Sequence, residues 1–154
     1  MEELEDATHT SARVEFTHGK ILRIGLNPDV APLMSVRFLR LARAGYYNGL
    51  TIHRIVPNFV DQGGSPGANE YVGDGPYVRD EISLLGNTRG SVGLSARGRD
   101  TGDAQFYFNL VDSPRLDYEY TVFGRVGRVD DMDRILEGDT IKSISFEKAI
   151  EGGK

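Results

Sequence analysis

Apolar and polar residues alternate early in the chain: Val14 and Phe16 stand among Arg13, Glu15 and Thr17, and after His18-Gly19 the alternation returns in Leu22, Ile24 and Leu26. A period of two sends successive side chains to opposite faces of a strand, so this stretch predicts a hairpin that turns at the glycine. From Asn27 the period lengthens. Pro32 suits a first helical turn, Met34, Phe38 and Leu41 recur at helical spacing, and Arg37, Arg40 and Arg43 take the other side. The spacing predicts a helix running to about Ala44 and stopped by Gly45, with its apolar stripe packed on a sheet.

Strand patterning continues over residues 51–56, 59–62, 91–96, 105–110, 121–126 and 141–148. A second helix is expected over 129–136, where Met132, Ile135 and Leu136 share a face and Gly138 offers a stop. Nineteen glycines are spread between these short runs, as turns joining many strands require. Two helices among about eight strands with hairpin-length links favour an all-β fold, an antiparallel sheet closed into a barrel. A barrel with an interior ligand cavity, like a lipid carrier, ranks far behind, because large side chains stand where a cavity needs small ones.

The 154 residues lie in the range of one domain, with residues 1–12 read as a flexible tail, 13–150 as the folded domain and 151–154 as a C-terminal tail. Twenty-three acidic against 18 basic side chains give a net charge of -5, which disfavours nucleic acid as a general partner. No apolar run approaches a membrane span, so no membrane partner is expected. The start, MEELEDATHTSA, is acidic where a signal peptide is basic and then apolar. That favours the cytoplasm, although the same start fits the cut end of a longer polypeptide.

There are no cysteines and only three histidines, His9, His18 and His53, so no disulfide, no thiolate nucleophile and no metal site are expected. Gly93-Leu94-Ser95-Ala96-Arg97 begins like a nucleophile elbow but carries arginine where that turn needs a second glycine. Residues 63–67 lack the lysine of a phosphate loop, and Gly73-Asp74-Gly75 lacks the third glycine of a dinucleotide fingerprint. Neither a cofactor nor covalent catalysis is predicted.

Three segments carry a specific resemblance. Residues 45–64, GYYNGLTIHRIVPNFVDQGG, are close to the central signature of the cyclophilins, residues 102–108, GDAQFYF, resemble a second strand of that family, and residues 116–126, LDYEYTVFGRV, resemble its closing strand. Similarity extends from about Arg13 to Lys148. The resemblance implies a cyclophilin-like, eight-stranded antiparallel closed barrel capped by two α-helices, with a proline groove on its outer surface. It implies a peptidyl-prolyl cis/trans isomerase acting on proline-containing peptide or protein segments, without cofactor or metal, and monomeric as this domain.

Carried over by position, the resemblance makes Arg54 the catalytic donor to the prolyl nitrogen. It gives Phe59, Val60, Tyr107 and Leu116 to the proline slot, and Gln62 and Gln105 to hydrogen bonds with the substrate backbone. Tyr120 stands where many relatives carry histidine, and its phenol is a candidate donor to a substrate carbonyl. Ser95, Ala96 and Arg97 replace a usual Ala-Asn-Ala at the rim, Val60 replaces a common methionine, and Arg115 stands at a position that is aromatic in many members. Since that aromatic is a chief contact for cyclosporin in the family, weak inhibition by the drug is expected. Arg54, Arg97, Arg99 and Arg115 together suggest a positive field and a preference for acidic residues flanking proline. A groove that binds proline segments with little or no turnover is the alternative that the altered rim keeps open.

Overall fold

The structure is a computed structural model and describes residues 1–67 and 77–149. The hairpin read from the first alternation is present: β1 (Thr10–Phe16) pairs antiparallel with β2 (Ile21–Leu26), in register from Ser11 opposite Gly25 to Glu15 opposite Ile21. Gly19 sits in the turn at φ 91, a conformation that costs glycine little. Helix α2 (Pro32–Arg43) follows. No side chain of its own first turn caps it, and Glu81 does so from elsewhere in the chain, accepting from Leu33 N at 3.0 Å and Met34 N at 2.8 Å. A carboxylate there satisfies two orphan amides and complements the positive end of the helix dipole.

The remaining strands are β3 (Thr51–Val56), β4 (Val60–Ser65), β5 (Ser91–Leu94), β6 (Phe106–Asn109), β7 (Val122–Val126) and β8 (Ile141–Lys148). All eight form one antiparallel sheet in the order β3-β4-β6-β5-β7-β2-β1-β8. The expected closed barrel is a curled sheet that stops short of closing. Its edge strands β3 and β8 lack a continuous ladder and meet through one bridge, Thr51 to Thr140, with Ile52 N donating to Asp139 O at 2.9 Å and Ile141 N to Leu50 O at 2.8 Å.

Phe16, Phe106, Phe108 and Phe123, each no more than 1 % exposed, fill the space inside the curl, and Phe38 of α2 meets Phe123 at 5.5 Å and Phe106 at 6.2 Å between ring centroids. Burying each such ring contributes about 1.5 to 3 kcal/mol, and an interior packed this way is no carrier cavity. No helix among the described residues is long and apolar enough to cross a membrane.

Two expectations need correction besides closure. Residues 1–12, read as a flexible tail, contain helix α1 (Glu2–His9) and the start of β1. An eight-residue helix is marginal alone, but its Glu3 and Asp6 pair with Arg40 (Nε to Oε1 2.8 Å) and Arg43 (3.0 Å) on the polar face of α2, and Ala7 is fully buried. The sequence shows these charges without showing that they face each other. The segment expected as an α-helix over 129–136 is a 3-10 helix, Val129–Arg134. With three residues per turn, Met132 and Ile135 fall on the buried side and Leu136 turns out to solvent. The expected C-terminal tail and Gly73-Asp74-Gly75 lie outside the described residues.

One buried group runs against the apolar interior. Asp61 of β4 stands opposite Ile55 and Phe108, is 1 % exposed, and its Oδ2 has no hydrogen-bond partner. Burial, with the Asp133 carboxylate adding to it, pushes the Asp61 carboxyl up to about 7. Because the folded value lies above the unfolded one, the folded state holds a proton that the unfolded chain releases, so this group lowers stability as pH rises from about 4 to about 7. At about 1.4 kcal/mol per pH unit the cost reaches several kcal/mol. Asp61→Asn should therefore leave stability near pH 4 almost unchanged and raise it progressively up to about pH 7, with a plateau beyond. Urea unfolding of parent and variant across pH measures this; a constant difference between the two refutes it.

Candidate active site

Strand register assembles the site. Arg54 of β3 stands opposite Gln62 of β4, Gln62 opposite Tyr107 of β6, and Tyr107 opposite Gly93 of β5. This row lies on the outer face of the curl, since the next row, Ile55, Asp61, Phe108 and Val92, is the one turned to the core. The Arg54 guanidinium is exposed and donates through Nη1 to Gln62 Oε1 at 3.3 Å, and Gln62 Nε2 donates to Ser95 Oγ at 3.1 Å. Gln62 thus spends its carbonyl on orienting Arg54 and keeps one amide hydrogen for other use.

Beside this row is a groove of about 130 Å³. Arg54, Gln62, Ser95, Ala96 and Tyr120 contribute polar or small walls, and Phe59, Val60, Tyr107 and Leu116 an apolar end. Phe59 precedes β4 in a tight turn whose Asn58 has φ 57, so it reaches the groove from the turn and not, as the expected strand over 59–62 implied, from within the strand. Leu116 arrives on a short 3-10 helix, Pro114–Leu116. The Tyr107 and Tyr120 rings meet edge to face at 5.8 Å.

Three expected binding residues lie outside this lining. Arg97 is exposed in the turn after β5, where its N–H donates to Thr101 Oγ1 at 2.8 Å. Gln105 is only 4 % exposed, and its carbonyl accepts from Ser95 N at 2.8 Å. Arg115 sits at the rim, its guanidinium carbon 4.4 Å from the centre of the Phe59 ring, a stacking worth about 0.5 to 1 kcal/mol at an exposed site.

Other residues that support the groove escaped sequence reasoning. Asn87 is buried and accepts at Oδ1 from the Tyr107 hydroxyl (2.7 Å) and from Asn109 Nδ2 (3.0 Å), while its own N–H donates to Asp117 Oδ1 (2.7 Å) and its carbonyl accepts from Ser113 N (2.7 Å). It ties the floor of the slot to the segment that carries Leu116. Burial, then the nearby Tyr120 and Asp117, push the Tyr107 phenol up, which keeps it a neutral donor to Asn87. Among the described residues no group of three or more His, Cys, Asp or Glu side chains is arranged to hold a metal ion.

Fold and site together describe a curled antiparallel sheet with an outer, ring-sized groove beside an arginine, and solved structures share the fold of that sheet. A crystal structure of a Cryptosporidium parvum cyclophilin-type peptidyl-prolyl cis-trans isomerase superposes with a TM-score of 0.84 at 24 % identity, covering 92 % of this chain and 99 % of that one. The family model described as cyclophilin type peptidyl-prolyl cis-trans isomerase/CLD matches residues 11–148. The chain belongs to the cyclophilin-type peptidyl-prolyl cis/trans isomerase family, a family of enzymes. A peptidyl-prolyl cis-trans isomerase of Helicobacter pylori (strain ATCC 700392 / 26695) is 39 % identical over 125 residues, covering 78 % of this chain and 77 % of that protein. Peptidyl-prolyl cis-trans isomerase B of Bacillus subtilis (strain 168) is 33 % identical over 132 residues, covering 84 % and 92 %.

Gly93 is the position in the row with no room to vary. A Cβ there would lie 2.2 Å from Tyr107 Cζ, so the ring occupies the space a side chain would need. Gly93→Ala should cost about 1 to 3 kcal/mol by overpacking and push the ring into the groove. Chemical denaturation together with the KM for a proline peptide checks both, and a variant with parental stability and parental KM contradicts this account.

Proposed function

We propose that this chain interconverts the cis and trans forms of Xaa-Pro bonds in peptides and proteins by non-covalent stabilisation of the twisted imide, with Arg54 donating to the prolyl nitrogen. The observation that carries this reading is an outward guanidinium, tethered to Gln62, at the mouth of an apolar notch sized for a small ring. Rotation about a peptide bond meets a barrier of about 18 to 20 kcal/mol because nitrogen lone-pair resonance has to be broken. No bond is made or cleaved. In the planar imide the lone pair is delocalised and the nitrogen is a poor acceptor; on rotation the lone pair localises and can accept a hydrogen bond. A fixed cationic donor aimed there therefore binds the rotated form more tightly than the flat one, and that difference lowers the barrier.

The other roles follow from position. Phe59, Val60, Tyr107 and Leu116 hold the pyrrolidine ring, which fixes the axis about which the preceding residue turns. The remaining Gln62 amide hydrogen and the Tyr120 hydroxyl bind the chain on either side, while Gln105 supports the groove through Ser95. The Cryptosporidium parvum protein crystallised in the presence of the dipeptide Ala-Pro has this fold at a TM-score of 0.82, which supports a proline-containing ligand. Arg115 on Phe59 is the observation that favours the second reading, a groove that binds without much turnover, since it covers part of the ring that a proline would touch.

A coupled-protease or NMR exchange assay decides between the two. Arg54→Ala should lower kcat/KM by about 10² to 10³, the loss expected on removing one preorganised donor. In the Asp61→Asn background, where the buried acid no longer titrates, activity should be nearly flat from about pH 6 to 9, because arginine keeps its charge throughout. A parent with no turnover, or an active Arg54→Ala, overturns the proposal. In the same assay cyclosporin should inhibit weakly, because Arg115 offers no aromatic surface; tight inhibition contradicts that expectation.

A further inference from the structure

Resting on the isomerase reading above, we propose that Arg115 makes this groove selective for segments that carry an acidic side chain next to the proline. The guanidinium lies 4.4 Å over the Phe59 ring, and Phe59 lines the slot, so the charge is fixed within reach of whatever flanks a bound proline. A guanidinium stacked on an aromatic ring uses its face and keeps its N–H donors at the edge, in the planar fork that matches a carboxylate. Stacking also restricts the side chain beforehand, so less conformational freedom is lost on binding.

The edge is available. Ion pairs elsewhere engage Arg13, Arg23, Arg40, Arg43 and Arg89, whereas among the described residues no hydrogen bond or ion pair involves the Arg115 side chain. The carboxylates nearest to it in sequence are committed elsewhere: Asp112 accepts from Arg89 N at 2.9 Å and Asp117 from Asn87 N at 2.7 Å. Glu119, the other acid of this segment, is exposed to solvent, where salt screens it. Arg54 lines the same slot and adds a second positive charge to the field.

The chain as a whole carries a charge of -5 and repels acidic ligands at long range. Two effects of opposite sign therefore compete, and distance decides. Beyond a screening length of about 8 Å at physiological salt the scattered carboxylates contribute little, while a guanidinium in contact with the ligand is screened far less. Local charge sets the preference.

The test is a matched set of Xaa-Pro peptides bearing Glu, Gln or Lys immediately before or after the dipeptide, assayed for kcat/KM at low and high salt. Glu should exceed Gln by about two- to five-fold at low salt on at least one side of the proline, the range of an exposed ion pair, with Lys below Gln. The ratio should fall toward one near 1 M salt, where the screening length is about 3 Å. Arg115→Gln should bring the Glu/Gln ratio close to one, leaving only the weaker field of Arg54, and Arg115→Glu should invert it. Lys142→Gln, the same change in net charge at an exposed position of β8 outside the groove, should leave the ratio as it is in the parent. Turnover of every peptide with a ratio of one overturns this inference alone, as does a ratio that survives Arg115→Gln or moves equally in Lys142→Gln. A parent that turns over none of the peptides overturns the isomerase reading, and this inference with it.

Discussion

The site depends on the hydrogen-bond register of four adjacent strands. Arg54, Gln62, Tyr107 and Gly93 form one row across β3, β4, β6 and β5, and the row beside it points the other way. A slip of one residue in any of these pairings would carry a groove residue into the core and a core residue to the surface. Register is held by what each row meets: Phe108 and Val92 are buried among apolar neighbours, while Tyr107 lies across a glycine that has no side chain to contest the space. Packing on one face thereby fixes geometry on the other.

The same alternation puts Asp61 on the wrong side of β4 for a carboxylate. Its neighbours Val60 and Gln62 face the groove, so Asp61 must face Phe108 and Ile55, where solvation is lost and no partner compensates at Oδ2. The strand keeps its two groove residues and the interior bears the cost. The period of two alone cannot rank these two outcomes, because both follow from it.

Much of this was legible in the chain. Val14, Phe16, Leu22 and Ile24 announced the first hairpin, and Met34 and Phe38 the helix that fills the curl, because each period is local and each apolar set is large. The resemblance, carried over position by position, named twelve site residues, and nine of them line one groove. What stayed hidden depends on distance in sequence. Glu81 caps a helix nearly fifty residues earlier, and α1 is held by arginines on α2, and neither partnership leaves a periodic trace. Asn87 is an ordinary loop asparagine until Tyr107 is placed opposite its side chain. Gly93 did carry a signal, since a glycine inside a strand marks a bulge or a close approach, and the β5–β7 pairing shifts there. The 3-10 turn at Met132 has the sequence pattern of an α-helix because periods of three and of 3.6 diverge only after a few residues.

The incomplete closure of the curl leaves β3, the strand that bears Arg54, at an open margin. Such a margin presents unpaired amides and carbonyls on which a foreign chain can add itself as a further strand. Here the amide of Ile55 is occupied by the Glu137 carboxylate at 2.9 Å, and the pairing of β3 with β4 shifts register just before Arg54. A negative charge and a kink stand where an incoming backbone would have to dock, so extended proline-bearing chains can be drawn to this molecule without being stitched into its sheet.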